Sequence, residues 1–164
     1  MKTRSKSVYI KSTPEKVFAR MDDLANTGMH MTKSSMMMMG NKLTLEQTSL
    51  NATGIGAKYH WYGKMMGMSM DFSETVTKWE PPRSKEWETF GNARMIIMSW
   101  YRIWFNISLA ENGSRAEIFI SYLPPAQWYN KILSFLFAGL YCNWCLNNML
   151  NDTKKSLGNP GDIL

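Results

Sequence analysis

A chain of 164 residues with 45% hydrophobic content suits one domain able to bury a proper core, and we expect a single unit over residues 1–157 with no second domain. The net charge is +6, and Lys2, Arg4, Lys6, Lys11, Lys16 and Arg20 crowd the N-terminal end; this would suit an anionic membrane or nucleic acid, but the charges form no dense run and read first as a solvated surface. The basic start leads into no apolar segment, so neither a secretion signal nor an anchor is expected, and the two cysteines cannot staple a fold; the cytoplasm is the default compartment, with membrane association left open.

Fifteen methionines stand out. Methionine is flexible and polarisable and recurs where a surface must fit irregular ligands, although it also serves as core filler, and Met36 to Met39 read as compositional bias.

Lys6 to Lys11 alternates, with Val8 and Ile10 on one side. Ser12-Thr13-Pro14-Glu15 then supplies a helix start with capping-box spacing between Ser12 and Glu15 and proline in the first turn. Val17, Phe18 and Met21 form the inner face of that helix, and a second short helix is expected to end near Thr27-Gly28. From Ser35 to Trp79 the pattern is extended, with turns at Gly40-Asn41, at Asn51 to Gly56 and at Gly63-Lys64. Met66, Met68, Met70, Phe72, Glu74 and Val76 share one side of the strand ending at Trp79. Lys85 to Phe90 reads as a short strand and Arg94 to Leu109 as a long, bulged one in which Ile103, Phe105, Ile107 and Leu109 alternate with polar neighbours. After a hairpin turn at Ala110 to Ser114, Ala116, Ile118, Ile120 and Tyr122 line the inner face of the last strand.

Pro124 to Leu157 reads as one long helix without charge between Lys131 and Asp152. Trp128, Ile132, Phe135, Gly139, Cys142, Leu146, Met149, Leu150, Thr153 and Leu157 fall in one stripe that should face a sheet. Behind it Leu133, Phe137, Leu140, Tyr141 and Trp144 make a second apolar patch, to be covered by a second subunit, a membrane surface or the short N-terminal helices. The asparagines in the run and the sheet's need for this helix argue against a membrane span. The tail from Gly158 should fray.

One strand, two short helices, about six further strands and a long helix indicate an α+β domain with a curved antiparallel sheet of six to seven strands wrapped around the C-terminal helix. That order, with Val8-Tyr9-Ile10-Lys11-Ser12-Thr13-Pro14-Glu15-Lys16-Val17-Phe18, Gly54-Ile55-Gly56-Ala57 and Gly113-Ser114-Arg115-Ala116-Glu117, resembles the helix-grip, START-like superfamily and within it the polyketide cyclase/dehydrase-like proteins. The resemblance implies a deep cavity between sheet and helix that holds lipids, sterols, quinones or polyketides, with a minority of members acting as cyclases, aromatases or dehydratases. Many relatives carry a tryptophan after the second short helix, where this chain reads Gly28-Met29-His30-Met31. No catalytic set transfers residue by residue.

Glu74 lies in register with Met70, Phe72 and Val76, so its carboxyl points either into an apolar cavity, where burial would raise its pKa as a general acid needs, or, in the reading preferred here, from an edge or bulge into water. Tyr59, Trp61, Tyr101 and Tyr122 offer polar handles to an apolar ligand, or plain core packing. His60 would suit a cyclase as an acid/base beside Glu74, with Tyr101 a further catalytic candidate, but it alternates with Tyr59 and Trp61, so only one of the two sets faces inward. His30 and His60 have no ligand-spaced partners, and neither a metal nor a cofactor is expected. Cys142-Asn143-Trp144-Cys145 lies mid-helix and reads as buried free thiols, and Trp100, Arg102 and Trp104 as a stacked outer sheet face without nucleic acid.

The function expected is the binding, transport or presentation of a bulky hydrophobic molecule. The site would be lined by Tyr59, Trp61, Met66, Met68, Met70, Phe72, Tyr101, Ile103, Phe105, Ile118, Ile120, Tyr122, Phe135, Gly139, Cys142 and Leu146. A cyclase or dehydratase using Glu74 or His60 with a cavity tyrosine is the rival, and an adaptor for a protein or membrane the third class.

Overall fold

The computed structural model describes residues 1–33, 40–65 and 67–158, with the side chain of Asn26 left aside. Met36 to Met39, Met66 and the tail beyond Gly158 lie outside the described residues.

Seven antiparallel strands form one sheet in the order β1-β7-β6-β5-β4-β3-β2. They are β1 (Lys2–Ile10), β2 (Leu43–Gln47), β3 (Lys58–Met65), β4 (Met68–Glu80), β5 (Ser84–Arg94), β6 (Trp100–Ala110) and β7 (Gly113–Leu123). Period-two alternation sets the inner face: Ile10, Tyr59, Trp61, Phe72, Val76, Trp87, Ile103, Phe105, Ile107, Ala116, Ile118 and Tyr122 are all buried on it. Leu109, at the end of β6, is exposed. The hairpin between β3 and β4 turns at Gly67, with φ of 76°; the break expected at Gly63-Lys64 lies inside β3 instead.

Three short helices, α1 (Pro14–Asp22), α2 (Leu24–Thr27) and α3 (Met29–Thr32), follow β1 where two were expected. Pro14 occupies the first turn as predicted, but the N-cap is Thr13, whose side chain makes no capping bond, and Ser12 is used differently: its carbonyl accepts from the Ser114 hydroxyl at 2.7 Å. α1 buries Val17, Phe18 and Met21 together with Asp22.

Between β5 and β6 the expected long strand from Arg94 does not form. Met95, Ile96, Ile97 and Met98 leave the sheet and are all buried. Ladder pairing of β5 with β6 ends at Glu88 and Arg102; beyond it the Thr89 hydroxyl accepts from the Tyr101 N–H at 3.1 Å. The two strands part there. A half-buried strand must alternate, and four consecutive apolar residues cannot all reach one face.

The C-terminal helix is interrupted. α4 (Trp128–Leu133) passes through a π-helical segment, Ser134–Ala138, into α5 (Gly139–Gly158). From Cys142 onward the predicted stripe holds: Cys142, Leu146, Met149, Leu150 and Thr153 are buried. Upstream it fails. Trp128, Ile132 and Phe135 are 73%, 53% and 76% exposed, while Ser134 and Ala138 face inward. A π turn holds an extra residue and each residue advances the helix by about 100°, so the upstream turns are rotated off the stripe. The back patch divides as well. Tyr141 and Trp144 pack under the short helices, with the Tyr141 hydroxyl 3.5 Å from the Met31 sulfur and the Trp144 ring edge-on to His30 at 5.1 Å, and Leu133 is half-buried; Phe137 and Leu140 stay exposed.

One ion pair fixes the short helices to the sheet. Lys85 on β5 is fully buried, and its ammonium donates to the Asp22 carboxylate at 2.6 Å and to the Asp22 carbonyl. The Trp79 indole N–H donates to the same carboxylate at 3.2 Å. Burial pulls the Lys85 pKa below its ordinary value and Asp22 opposes that shift. Removing one partner of such a pair strands the other charge. Lys85→Met should therefore destabilise the protein by about 3–5 kcal/mol in urea unfolding, and adding Asp22→Leu should recover most of that loss.

Candidate functional site

The space between the inner sheet face, α5 and the short helices contains a cavity of about 60 Å3, a few waters' worth of room. Its walls come from β3 (Trp61, Met65), β4 (Met70, Phe72, Glu74), β5 (Trp87), the segment 95–98, β6 (Tyr101, Ile103), β7 (Ile120), α5 (Cys145, Met149) and the stretch from Leu24 to Met31. Met31, Met65, Met70, Met95, Met98 and Met149 are among them, so much of the lining is unbranched and able to change rotamer.

Of the residues expected at the site, Trp61, Met70, Phe72, Glu74, Tyr101, Ile103 and Ile120 line this cavity. Phe105, Ile118, Tyr122, Cys142 and Leu146 do not; all are buried, in the solid part of the core. Tyr59 is buried too, with its hydroxyl turned to the Ala52 carbonyl. Gly139 packs against the Arg4 guanidinium. Met68 and Phe135 are exposed, the first at the hairpin end and the second because of the π segment, and Met66 lies outside the described residues.

Glu74 corrects the preferred reading of its side chain. It is 2% exposed and points inward, with Oε2 accepting from the Trp61 indole N–H at 2.8 Å and Oε1 from the Tyr101 hydroxyl. Tyr101 reaches it from β6 across β5. Burial raises the Glu74 pKa; the donors Tyr101 and Trp61 and the nearby Lys85 charge pull against it. The Tyr101 hydroxyl is itself pushed well above its ordinary pKa by burial and by Glu74, so it stays a proton donor. A carboxyl so placed can present a proton to a bound molecule, with phenol and indole holding its orientation.

His60 sits on the opposite sheet face, half-exposed and 3.1 Å from the Asp71 carboxylate. The alternation of β3 places Tyr59 and Trp61 inside, so the pairing of His60 with Glu74 does not occur.

Two features of the site escaped the sequence reading. The first is the segment 95–98, whose unbroken apolar run was the available signal. The second is His30, 9% exposed and in the cavity wall, whose ring nitrogens make no hydrogen bond of ordinary geometry among the described residues, the Thr27 backbone being their nearest polar support. Burial lowers its pKa from 6.5 to about 4. The Gly28 backbone lies so close to the Trp61 indole that a Cβ there would approach ring atoms to 2.4 Å, which seats the short helices directly on the cavity wall.

Cys142 and Cys145 are buried free thiols, with the Cys142 pKa pushed up to about 12 by burial. On the outer face the Arg102 guanidinium pairs with Glu88 at 2.8 Å and lies 5.5 Å from the Trp100 ring, while Trp104 stacks on Phe119. Among the described residues no cluster of three or more His, Cys, Asp or Glu is placed to hold a metal, and no helix is long and apolar enough to cross a membrane.

His30 and Glu74 tilt stability in opposite directions with pH. The lowered His30 pKa means its contribution is complete above pH 6.5 and is lost as pH falls toward 4, about 3 kcal/mol in all. The raised Glu74 pKa has the reverse sign, its stability being present below the ordinary carboxyl pKa of 4.5 and lost as pH rises through the folded value. Denaturant unfolding from pH 4 to 8 should show His30→Phe flattening the acid limb and Glu74→Gln the alkaline limb.

No protein-family model matches the chain, and no curated protein matches its sequence. Solved structures do. TTHA0849 from Thermus thermophilus superposes with a TM-score of 0.71 at 15% identity, over 95% of this chain and 97% of that one. The di-domain ARO/CYC BexL from the BE-7585A biosynthetic pathway gives 0.65 at 13% identity, over 96% of this chain and 50% of that one. The Aha1 dimer from Colwellia psychrerythraea gives 0.58 at 19% identity, over 96% of both chains. At such identities the likeness is one of architecture, and it agrees with the element order, the seven-stranded sheet and the long C-terminal helix: this chain has the helix-grip fold.

Proposed function

We propose that the protein binds an apolar small molecule between the sheet and the C-terminal helix, with the Glu74 carboxyl as the polar contact that orients it. The observation that carries this reading is a cavity walled by six methionines and many aromatic and aliphatic side chains, with a buried carboxyl in its wall. At about 60 Å3 the cavity is far below the roughly 300 Å3 at the lower end of ligand pockets, so a bulky ligand enters only as methionines swing aside. Affinity then comes mainly from apolar burial, about 25 cal/mol per Å2, reduced by the cost of moving those side chains.

A second reading is favoured by the Glu74–Tyr101 contact. A carboxyl whose pKa is raised by burial and that is backed by a phenol is suited to acid-assisted dehydration or ring closure, and one of the structural matches is an ARO/CYC protein. The two readings part at Glu74, because a carrier needs a shape and a hydrogen bond there whereas an enzyme needs a transferable proton.

Native mass spectrometry of protein purified from its own host, followed by solvent extraction, should release a stoichiometric apolar molecule. The stripped protein should melt lower and recover when that molecule is returned, by about 2.7 kcal/mol at a hundredfold excess over Kd. Glu74→Gln should keep affinity within a few-fold if the protein is a carrier and should abolish turnover with binding intact if it is an enzyme. His60→Asn, on the outer face, should change neither. Protein that is empty from its host and gains no stability from any apolar compound would remove the binding reading.

A further inference from the structure

The first turns of the C-terminal helix display what the fold leaves uncovered. Trp128, Ile132, Phe135, Leu136, Phe137 and Leu140 are each at least 41% exposed within thirteen consecutive residues. At about 100° per residue they spread over roughly half the circumference rather than along one narrow seam. Tyr129 is exposed beside Trp128, its ring 5.9 Å away. Contiguous apolar patches of this kind are uncommon on a surface that meets only water.

Three cations stand at this patch. Lys131 lies within it, the Lys2 ammonium sits 5.4 Å from the Phe135 ring, and the Arg4 guanidinium rests against Gly139. No Asp or Glu occurs between Pro124 and Asn151. A second copy of the chain docked through this face by a two-fold axis would crowd Lys2, Arg4 and Lys131 with the same cations of the other copy, with no carboxylate among residues 124–151 to separate them. An anionic surface meets them with attraction. Tryptophan and tyrosine beside lysine on an exposed apolar helix are also the side chains that settle at a lipid headgroup boundary.

We propose that α4, the π segment and the first turn of α5 form a docking face for an anionic lipid surface. The helix lies in the headgroup layer with Phe135 and Leu136 dipping below it, and Lys2, Arg4 and Lys131 pair with lipid phosphates. The face is linked to the cavity through the backbone: Ser99, which follows the cavity segment 95–98, donates from its N–H to the Leu123 carbonyl at 2.9 Å and from its hydroxyl to the Pro124 carbonyl at 3.0 Å, at the root of α4. Contact with a bilayer therefore bears on the same joint that holds one wall of the cavity. The docking itself does not depend on what the cavity binds.

Co-sedimentation of the full chain with vesicles of phosphatidylcholine, with and without phosphatidylglycerol, tests the proposal. Binding should require phosphatidylglycerol and weaken as salt is raised. The double change Phe135→Ser and Leu136→Ser should lower vesicle affinity by about tenfold or more, and Lys2→Gln and Lys131→Gln by about fivefold each. All four residues are exposed, so the variants should keep the parent melting temperature, and that control separates lost docking from lost folding. Three results would overturn the proposal: no sedimentation with either vesicle, sedimentation unchanged by the serine pair, or a concentration-dependent dimer in ultracentrifugation that the serine pair dissociates.

Discussion

A lysine ammonium with no solvent contact has to be answered by a carboxylate, and in this chain Lys85 is answered by Asp22. The requirement reaches beyond one contact. Asp22 is the last residue of α1, so satisfying Lys85 fixes the point at which the chain leaves that helix and starts α2. From there Gly28 meets the Trp61 ring and His30 meets Trp144, and the cavity acquires its cover. Apolar packing alone would tolerate several placements of these helices, because α1 has nine residues and α2 and α3 four each, and helices so short carry little stability of their own. The ion pair selects one placement, since any other would leave a buried charge without a partner.

Beneath that cover the sheet departs from an even ladder where β5 and β6 separate. The Thr89 hydroxyl takes over the Tyr101 N–H that a continuous ladder would have satisfied, and the segment 95–98 folds in as a wall. The parting also frees the Tyr101 side chain to cross β5 and reach Glu74. A carboxyl that has lost its water is held by two donors on different strands, β3 and β6, so the most polar group of the cavity is also a brace between distant parts of the sheet. The methionines around it have the opposite character. They fill the space without fixing its shape, which allows a rigid polar centre inside an adaptable apolar shell.

Most of the architecture was legible in the sequence because period-two patterning is strong where one sheet face is buried, as in β1, β4, β6 and β7. Element boundaries slipped where local signals conflicted. Gly63 looked like a turn residue yet sits in β3, and Ser12 and Glu15 had capping-box spacing although Thr13 holds the cap position. The candidate site was legible only in part. Register on β4 placed Glu74 on the cavity side, but whether that position met water depended on tertiary closure by Trp61 and Tyr101, which no local pattern encodes. Phe105, Ile118, Tyr122, Cys142 and Leu146 had the right facing and the wrong depth: periodicity tells which side a residue faces and not whether the space opposite is filled. Lys85 read only as the start of a strand and His30 only as a histidine without ligand-spaced partners, because a single charged or aromatic polar residue within an element usually faces solvent.

The π segment makes the character of the outer helix face a matter of local pitch. Losing one residue from Ser134–Ala138 would remove the bulge and leave this face as it is, but with every residue kept and the stretch run as plain α-helix, α4 would swing back by about 100° and bring Trp128, Ile132 and Phe135 round toward the line of Cys142 and Leu146. The same aromatic letters would then be hidden rather than displayed. Such a trait rests on the hydrogen-bond pattern of one turn rather than on the side chains it displays, so two chains alike at every position of α4 could still present opposite faces to their surroundings.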